Sequence, residues 1–366
     1  MKTKPILNEM TPYKPGKQID EVKKEYGLDK IVKLASNENP FGFSGKVKEE
    51  LPRMLESLEY YPDGHAREIR GAVSDFYQIG EDQLIFGNGS DEIVQILCRA
   101  FLEPLTNTVM AVPTFPQYKH NALLEGAEVR EVALTEDGHH DTETMLNKVD
   151  DHTRILWLCS PNNPTGVLLG EEKLKEIIDR TPSHVLIVID EAYYEYADKE
   201  KRASSLELVN NHKNVMVLRT FSKAYGLAGL RIGYGVGDPE TISAMEPARE
   251  PFNTSVVAQK AAVLALEDQE FLEDTVAQTR ENKKAFMDFC DSIDLRYDDS
   301  EANFVLIHLP ISGDGMFEHL LTKGFIVRSG EALGIPGSIR LTIGSEEDMK
   351  KIQGYIEAKV KQEEKL

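Results

Sequence analysis

The strongest constraint on the fold comes from two apolar runs in the middle of the chain, "HVLIVID" (184–190) and "NVMVLRT" (214–220). Their hydrophobic residues follow one another without the polar alternation of a half-exposed strand. Both runs are therefore predicted to be strands that are buried on two faces. From about residue 70, similar runs alternate with segments of helical periodicity. This order predicts an α/β fold with a mostly parallel central sheet, helices on its faces and right-handed crossovers.

The pattern changes after about residue 245, where a long helical stretch leads to the short apolar runs "NFVLIHL", "GFIVRSG" and "SIRLTIG". We therefore predict an N-terminal arm over residues 1–30, a large domain over 31–245 and a smaller α+β domain over 246–366. A chain of 366 residues is long enough for two hydrophobic cores. The arm has few periodic apolar residues, and we expect it to wrap over the body.

Charge and cysteine content limit the partners of this chain. Its formal net charge of −20 argues against nucleic acid and anionic membranes, because both bind basic surfaces. Cys98, Cys159 and Cys290 lie far apart in apolar runs, which predicts reduced core thiols and neither disulfides nor a metal centre. The chain has no run of 18 apolar residues and no apolar leader at its start. These features predict a cytoplasmic protein.

Polar clusters follow four of the predicted strands, at 87–91, 162–166, 190–193 and 220–223. Ligands of open α/β sheets bind outside the carboxyl ends of the strands, so these clusters form the candidate site. The first cluster, "GNGSD", opens a predicted helix, whose free N–H groups favour phosphate. The same residues also make a good helix N-cap, so this cluster by itself supports both interpretations equally.

Two ionisable residues follow successive buried runs. Asp190 is either a helix cap or the partner of a protonated ring nitrogen, because an unpaired carboxylate is costly to bury. Lys223, among apolar walls and near positive charge, would lose proton affinity and form Schiff bases with aldehydes. Ser222 and Arg231 suit a phosphate group, and Tyr193 can point a phenol toward the same site. Aldehyde, phosphate and basic ring nitrogen together describe pyridoxal 5′-phosphate, which we predict as the cofactor.

Ordered motifs run along nearly the whole chain. They include "LASNENPFG" (34–42), "YYPDG" (60–64), "PTFPQY" (113–118), "SPNNPTG" (160–166), "TFSKAYGLAGLRIGY" (220–234) and "REPFNTS" (249–255). In these motifs the chain resembles the class-II aminotransferases of fold type I, and within them the histidinol-phosphate aminotransferases. The resemblance implies an aminotransferase that uses pyridoxal 5′-phosphate. It also implies a homodimer whose active sites lie at the subunit interface.

The resemblance also implies a role for each matching residue. Lys223 would carry the cofactor and move the substrate proton, and Asp190 would pair with the ring nitrogen of the cofactor. Tyr193 and Asn163 would bind the ring oxygen. Phe115 would stack on the ring, although an aromatic residue there is equally often plain core. The implied phosphate ligands are Ser90, Asp91, Ser222, Arg231 and, from the neighbouring subunit, Tyr61.

Substrate recognition is expected to depend on guanidinium groups, which match carboxylate and phosphate oxygens alike. The resemblance implies Arg340 as the carboxylate clamp, and Arg328 with Tyr13 and Asn39 as the grip on the substrate phosphate. Either arginine, taken alone, could equally form a solvated salt bridge. The implied reaction converts L-histidinol phosphate and 2-oxoglutarate to imidazole-acetol phosphate and glutamate, the reverse of the physiological direction in histidine biosynthesis.

Other functions stay open on the sequence alone. An aromatic-amino-acid or dual-specificity aminotransferase fits, because imidazole and phenol are similar flat rings. A threonine-phosphate decarboxylase also fits, because the sequences of such enzymes look similar to this one throughout. A non-catalytic regulator built on the same domain would need an attached DNA-binding module. The start of the motifs at residue 34 and the net charge of −20 disfavour that function.

Overall fold

The computed structural model describes residues 1–11 and 16–363 as helices, strands and connecting loops. In chain order the strands are β1 Val32–Lys33, β2 Leu84–Gly87, β3 Asn107–Val112, β4 Glu128–Ala133, β5 Thr153–Cys159, β6 Leu186–Asp190, β7 Val215–Thr220, β8 Gly233–Val236, β9 Phe304–His308, β10 Phe325–Ile326, β11 Arg328–Ser329 and β12 Ser338–Thr342. The helices are α1 Ile19–Tyr26, α2 Gly45–Met54, α3 Arg67–Tyr77, α4 Ser90–Phe101, α5 Gln117–Leu124, α6 Thr142–Asn147, α7 Glu171–Arg180, α8 Ser205–Asn211, α9 Pro239–Met245, α10 Val256–Glu267, α11 Gln269–Ser292, α12 Gly313–Thr322 and α13 Glu346–Glu363.

The central sheet has the strand order β2-β8-β7-β6-β5-β3-β4. Its pairings are parallel except for those of β8, which runs antiparallel to both of its neighbours. The prediction of a mostly parallel sheet is therefore confirmed. Strand β6 lies between β5 and β7, so the polar residues that follow these three strands meet at one edge of the sheet. In this fold class, that edge is where ligands bind.

Both faces of the central sheet are covered by apolar side chains. All residues of β6 and β7 are buried, as the unbroken apolar runs predict. Alternate residues of β6 contribute to opposite cores: Ile187 and Ile189 pack on one face, and Val188 packs on the other. The three cysteines are buried and free of disulfide bonds. No helix in the described part of the chain is long and apolar enough to cross a membrane.

The C-terminal part forms a smaller unit around an antiparallel sheet of order β11-β12-β9. Its core joins this sheet to α11, α12 and α13, which confirms the predicted α+β character. The predicted domain boundaries at residues 30 and 245 stay predictions. Two elements pack against a part of the protein other than the one to which these boundaries assign them. Strand β1 pairs in parallel with β10, and apolar residues of α10 belong to the core of the large sheet.

Candidate active site

A cavity of about 940 Å³ lies at the carboxyl ends of β5, β6 and β7. Its wall contains both Asp190 and Lys223, which the sequence placed in one site. The small sheet contributes Arg328 and Arg340, and the N-terminal arm contributes residues such as Met10. The central sheet, the small sheet and the N-terminal arm therefore all contribute to the wall of the cavity.

The cavity is rich in positive charge, although the whole protein is acidic. Among the described residues, its cationic side chains are Lys119, Lys223, Arg231, Arg328 and Arg340, and its carboxylates are Glu9, Asp91 and Asp190. Cationic groups in a concave, poorly hydrated site focus the electrostatic field and attract anions. The lining therefore suits ligands that carry phosphate or carboxylate groups.

Lys223 follows β7 in a short bend, and its side chain lines the cavity. Its Nζ donates a hydrogen bond to the backbone oxygen of Ser36 at 3.3 Å. Burial, followed by the positive charge of Arg340, lowers the pKa of the Lys223 amine to about 8. Both effects disfavour the ammonium form. A large fraction of this amine is therefore neutral, and so nucleophilic, at mildly alkaline pH.

Asp190 ends β6 and is buried, with 3% of its surface exposed. Burial raises the pKa of its carboxyl to about 6, and a hydrogen bond from Tyr118 opposes the rise. The Tyr118 hydroxyl donates to Oδ2 at 2.5 Å, and the backbone N–H of Ala192 donates to Oδ1 at 3.1 Å. Sequence reasoning missed Tyr118. Its available signal was its place at the end of "PTFPQY".

Tyr193 and Asn163 are held by residues from distant parts of the chain. The Tyr193 hydroxyl accepts a hydrogen bond from Nδ2 of Asn37 at 3.0 Å, and burial raises the pKa of the phenol. Nη1 of Arg340 donates to Oδ1 of Asn163 at 2.5 Å, and its Nη2 donates to the backbone oxygen of Ala35 at 2.7 Å. Sequence reasoning missed Asn37 as well.

The predicted phosphate site lies at the start of α4. Nη1 of Arg231 donates to Oγ of Ser222 at 3.1 Å, and Nη2 donates to Oδ2 of Asp91 at 3.3 Å. Gly89, with φ of +79°, allows this approach, because a Cβ there would lie 2.3 Å from Nη2 of Arg231. The free N–H groups of the helix at Ser90 complete an anion-binding cup. Since a carboxylate only accepts hydrogen bonds, Asp91 could serve an anion through its backbone N–H.

Arg328 and Arg340 lie directly opposite each other in the pairing of β11 with β12. Both line the cavity, and side chains at such paired positions are near neighbours. The guanidinium carbon of Arg340 also lies 5.2 Å from the ring centroid of Phe304. Two arginines at paired positions in the wall of one cavity suit a doubly charged or bidentate anion.

The three remaining predicted residues that the structure describes differ from one another in where they lie relative to the cavity. Phe115 lines the cavity and makes an edge-to-face contact with Tyr118, with ring centroids 5.5 Å apart. Asn39 does not line the cavity: its amide donates to the Ala224 backbone oxygen and accepts from the backbone N–H of Phe41, each at 2.9 Å. Tyr61 lies outside this cavity and is 82% exposed. Tyr13 falls outside the described residues.

Comparison with known proteins agrees with this architecture. The profile of the family described as aminotransferase class I and II matches residues 29–356. The chain belongs to this family. The structure of histidinol-phosphate aminotransferase from Sinorhizobium meliloti in complex with pyridoxal-5′-phosphate superposes with a TM-score of 0.89 over 98% of both chains, at 23% identity. That likeness confirms the predicted fold type.

Curated relatives show which branch of the family the chain resembles. The histidinol-phosphate aminotransferase of Geobacillus sp. (strain WCH70) is 55% identical over 352 residues, which cover 96% of each chain. That of Bacillus subtilis (strain 168) is 53% identical over 96% of this chain and 98% of its own. The predicted resemblance to the histidinol-phosphate aminotransferases is thereby confirmed.

Pyridoxal 5′-phosphate is the cofactor of this family, and the residues of the cavity fit it. The cup beside Arg231 suits its phosphate, and the Asp190 carboxylate suits its ring nitrogen. The lowered pKa of Lys223 suits its aldehyde. Phe115 offers an aromatic face for the ring. The cavity thus offers a suitable side chain or backbone group for each of these four parts of the cofactor, including the lysine and the ring-nitrogen partner that its chemistry needs.

Proposed function

We propose that this protein transfers an amino group between L-histidinol phosphate and 2-oxoglutarate, forming imidazole-acetol phosphate and glutamate. In histidine biosynthesis the reaction would run in the opposite direction. The observation that carries the proposal is one cavity whose wall holds Lys223 and Asp190 together with Arg231 and the pair Arg328 and Arg340, which suit anionic groups. Relatives at 55% and 53% identity that are named histidinol-phosphate aminotransferase support the histidinol-phosphate part of the proposal.

The reaction needs an acid–base group at the substrate Cα, and Lys223 is our candidate. Bound pyridoxal 5′-phosphate supplies an electron-accepting ring. Lys223, with a pKa lowered to about 8, can take up and return a proton near neutral pH. Asp190 would keep the ring nitrogen protonated, since a buried carboxylate favours a positive partner. Tyr193 and Asn163 would bind the ring oxygen.

Both proposed substrates carry an anionic group that the arginine pair can bind. Glutamate has an α-carboxylate, whereas histidinol phosphate has a phosphate ester in its place. A guanidinium fork donates two parallel hydrogen bonds to either group. Arg340 is held by Asn163 and the Ala35 backbone, so its orientation is set before the substrate arrives. One pair of arginines would therefore serve both half-reactions.

We also propose that the chain acts as a homodimer. Tyr61 is 82% exposed and Phe252 is 47% exposed. Their rings stack with centroids 4.8 Å apart. Paired aromatic side chains on a surface are typical of protein interfaces. Tyr61 would then reach the cofactor phosphate of the second subunit, and a Tyr61→Ala variant would weaken cofactor binding.

A substrate panel on the purified protein tests the proposed activity. We expect turnover with L-histidinol phosphate and 2-oxoglutarate, and little with L-phenylalanine. Higher activity with phenylalanine would favour an aromatic aminotransferase, and CO₂ release from threonine phosphate would favour a decarboxylase. The Lys223→Ala variant should lose turnover together with the absorbance band of the Schiff base between Lys223 and the cofactor. Transamination retained in that variant would refute the role of Lys223.

A further inference from the structure

Asn37 lies in the loop after β1, is 1% exposed and lines the cavity. Its φ of +56° is left-handed, a conformation that asparagine adopts more readily than most residues with a side chain. The backbone oxygen of Asn37 accepts a hydrogen bond from Nδ2 of Asn303 at 3.0 Å. The residue is therefore fixed at the contact between the two parts of the protein.

The hydrogen bonds around Asn37 determine which atom of its side-chain amide accepts and which donates. Its backbone N–H donates to the Thr342 hydroxyl oxygen at 3.0 Å. That hydroxyl in turn donates to Oδ1 of Asn37 at 3.0 Å. The amide is thereby oriented with its oxygen toward Thr342 and its nitrogen toward Tyr193. Nδ2 can only donate, and it lies 3.0 Å from the Tyr193 hydroxyl oxygen.

The donor character of Asn37 decides where the proton of the Tyr193 hydroxyl can point. A phenol carries one proton and accepts through its lone pairs. Because Tyr193 accepts from Asn37, its own proton must be directed to another acceptor. We propose that Asn37 is a positioning residue, which directs the hydroxyl proton of Tyr193 into the cavity toward the ring oxygen of the cofactor. This inference rests on the proposed function.

The variant Asn37→Asp reverses the direction of this hydrogen bond at nearly constant volume. A carboxylate only accepts, so Tyr193 would turn its proton away from the cavity. The ring oxygen would lose a hydrogen-bond donor and keep more of its negative charge. That charge would hold a proton more tightly on the nitrogen atom by which Lys223 is bonded to the cofactor. We expect the pH midpoint of the bound cofactor's visible absorbance to rise by about one unit, since a hydrogen bond to a charged group is worth that much.

The negative charge that Asn37→Asp introduces could also raise this midpoint through space. Repeating the substitution in a Tyr193→Phe background separates the two effects. If Asn37 acts through Tyr193, the shift of the absorbance midpoint in the Tyr193→Phe background is less than half of the shift in the unmodified background. An equal shift in both backgrounds would overturn the inference.

A second, uncharged variant tests the same network from the other side. Thr342→Val removes the hydroxyl that orients the amide of Asn37, whereas Thr342→Ser keeps it. We expect the absorbance midpoint to rise in the valine variant and to stay unchanged in the serine variant. Thermal unfolding of each variant, which a purely structural role would also change, is measured beside the midpoint. A valine variant with reduced thermal stability and an unshifted midpoint would contradict the inference.

The unmodified protein is titrated first with pyridoxal 5′-phosphate. Absence of a visible cofactor band there would refute the proposed function itself. A normal band in the unmodified protein, with unshifted midpoints in the Asn37→Asp and Thr342→Val variants, would refute the role of Asn37 alone.

Discussion

Replacing Tyr118 with phenylalanine tests how the enclosed carboxylate of Asp190 keeps its charge. The Tyr118 hydroxyl donates to Oδ2 of Asp190 at 2.5 Å, and burial raises the pKa of that carboxyl to about 6. The phenylalanine ring can keep the stacking on Trp157, whose centroid is 4.5 Å away at an interplanar angle of 11°. The substitution therefore removes one hydroxyl and leaves the packing in place.

The size of the effect follows from the charge on the acceptor. A hydrogen bond to a charged group contributes about 1.5–3 kcal/mol, and one pKa unit corresponds to about 1.4 kcal/mol. Loss of the bond should raise the pKa of Asp190 by about one to two units, to between about 7 and 8. At pH 7 its ionised fraction would then fall from about nine-tenths to between about a half and a tenth.

The sign of the stability effect follows from linkage. The pKa of Asp190 is raised in the fold, so ionisation of this group destabilises the cofactor-free protein as the pH rises toward the folded-state value. In the Tyr118→Phe variant, in which the pKa of Asp190 is higher, this loss of folding stability continues to higher pH. Relative to the unmodified protein, it should therefore lose stability between about pH 6 and 8.

The pKa is measured directly from the carboxyl ¹³C shift in cofactor-free protein labelled at aspartate, with the signal assigned from an Asp190→Asn variant. Tyr196→Phe is the matched control, because it removes a buried phenol hydroxyl that does not bond Asp190. We expect the Asp190 midpoint to rise in Tyr118→Phe and to stay in place in the control. A midpoint in Tyr118→Phe within about half a unit of the unmodified protein would refute the reasoning.

Three further outcomes are expected. Gly89→Ala places a Cβ 2.3 Å from Nη2 of Arg231, so the dissociation constant of the cofactor should rise about tenfold or more. An unchanged dissociation constant would contradict the assignment of the phosphate site to this cup. Arg219→Met leaves Glu191, its partner at 2.9 Å, buried without a cationic partner. Urea unfolding should show a loss of about 3–5 kcal/mol, largely restored by adding Glu191→Gln, and an unchanged stability would contradict this. Because the pKa of Lys223 is lowered to about 8, the association rate of the cofactor should rise between about pH 7 and 9 as the amine loses its proton. An association rate that stays constant over this pH range, measured by stopped flow, would contradict the role of the neutral Lys223 amine.

The juxtaposition of Asp190 and Lys223 could be predicted, because parallel neighbours bring their carboxyl ends together. In the sheet, Asp190 pairs with Cys159 of β5 on one side and Leu218 of β7 on the other. Apolar runs and their order in the chain were sufficient for that prediction.

The long helical stretch was harder to interpret from periodicity. The structure divides it into α10 and α11, with Asp268 between them as the N-cap of α11. The Asp268 carboxylate accepts a hydrogen bond from the backbone N–H of Phe271 at 3.4 Å and another from the Ser44 hydroxyl. The local signal, a capping aspartate, was present in the sequence. The partner that holds it lies more than two hundred residues away.

The loop "SNEN" gives the sharpest contrast between the two levels. Sequence reasoning selected Asn39 for substrate binding, whereas Asn37, two residues earlier, lines the cavity. A loop has no regular period, so sequence does not tell which side chain faces inward. The direction is decided by Asn303, Thr342 and Tyr193, which contact Asn37 from three other segments.

The sequence by itself determined the parallel sheet, the edge that carries the site and the reactive residues at the strand ends, because these depend on local apolar patterns and on chain order. The tertiary structure alone decided which side chains orient those residues. Tyr118 and Asp190 are 72 positions apart, Asn37 and Tyr193 are 156 apart, and Asn163 and Arg340 are 177 apart. A hydrogen bond requires its two atoms to lie about 3 Å apart in a suitable direction, and over such separations only the packed backbone sets that geometry.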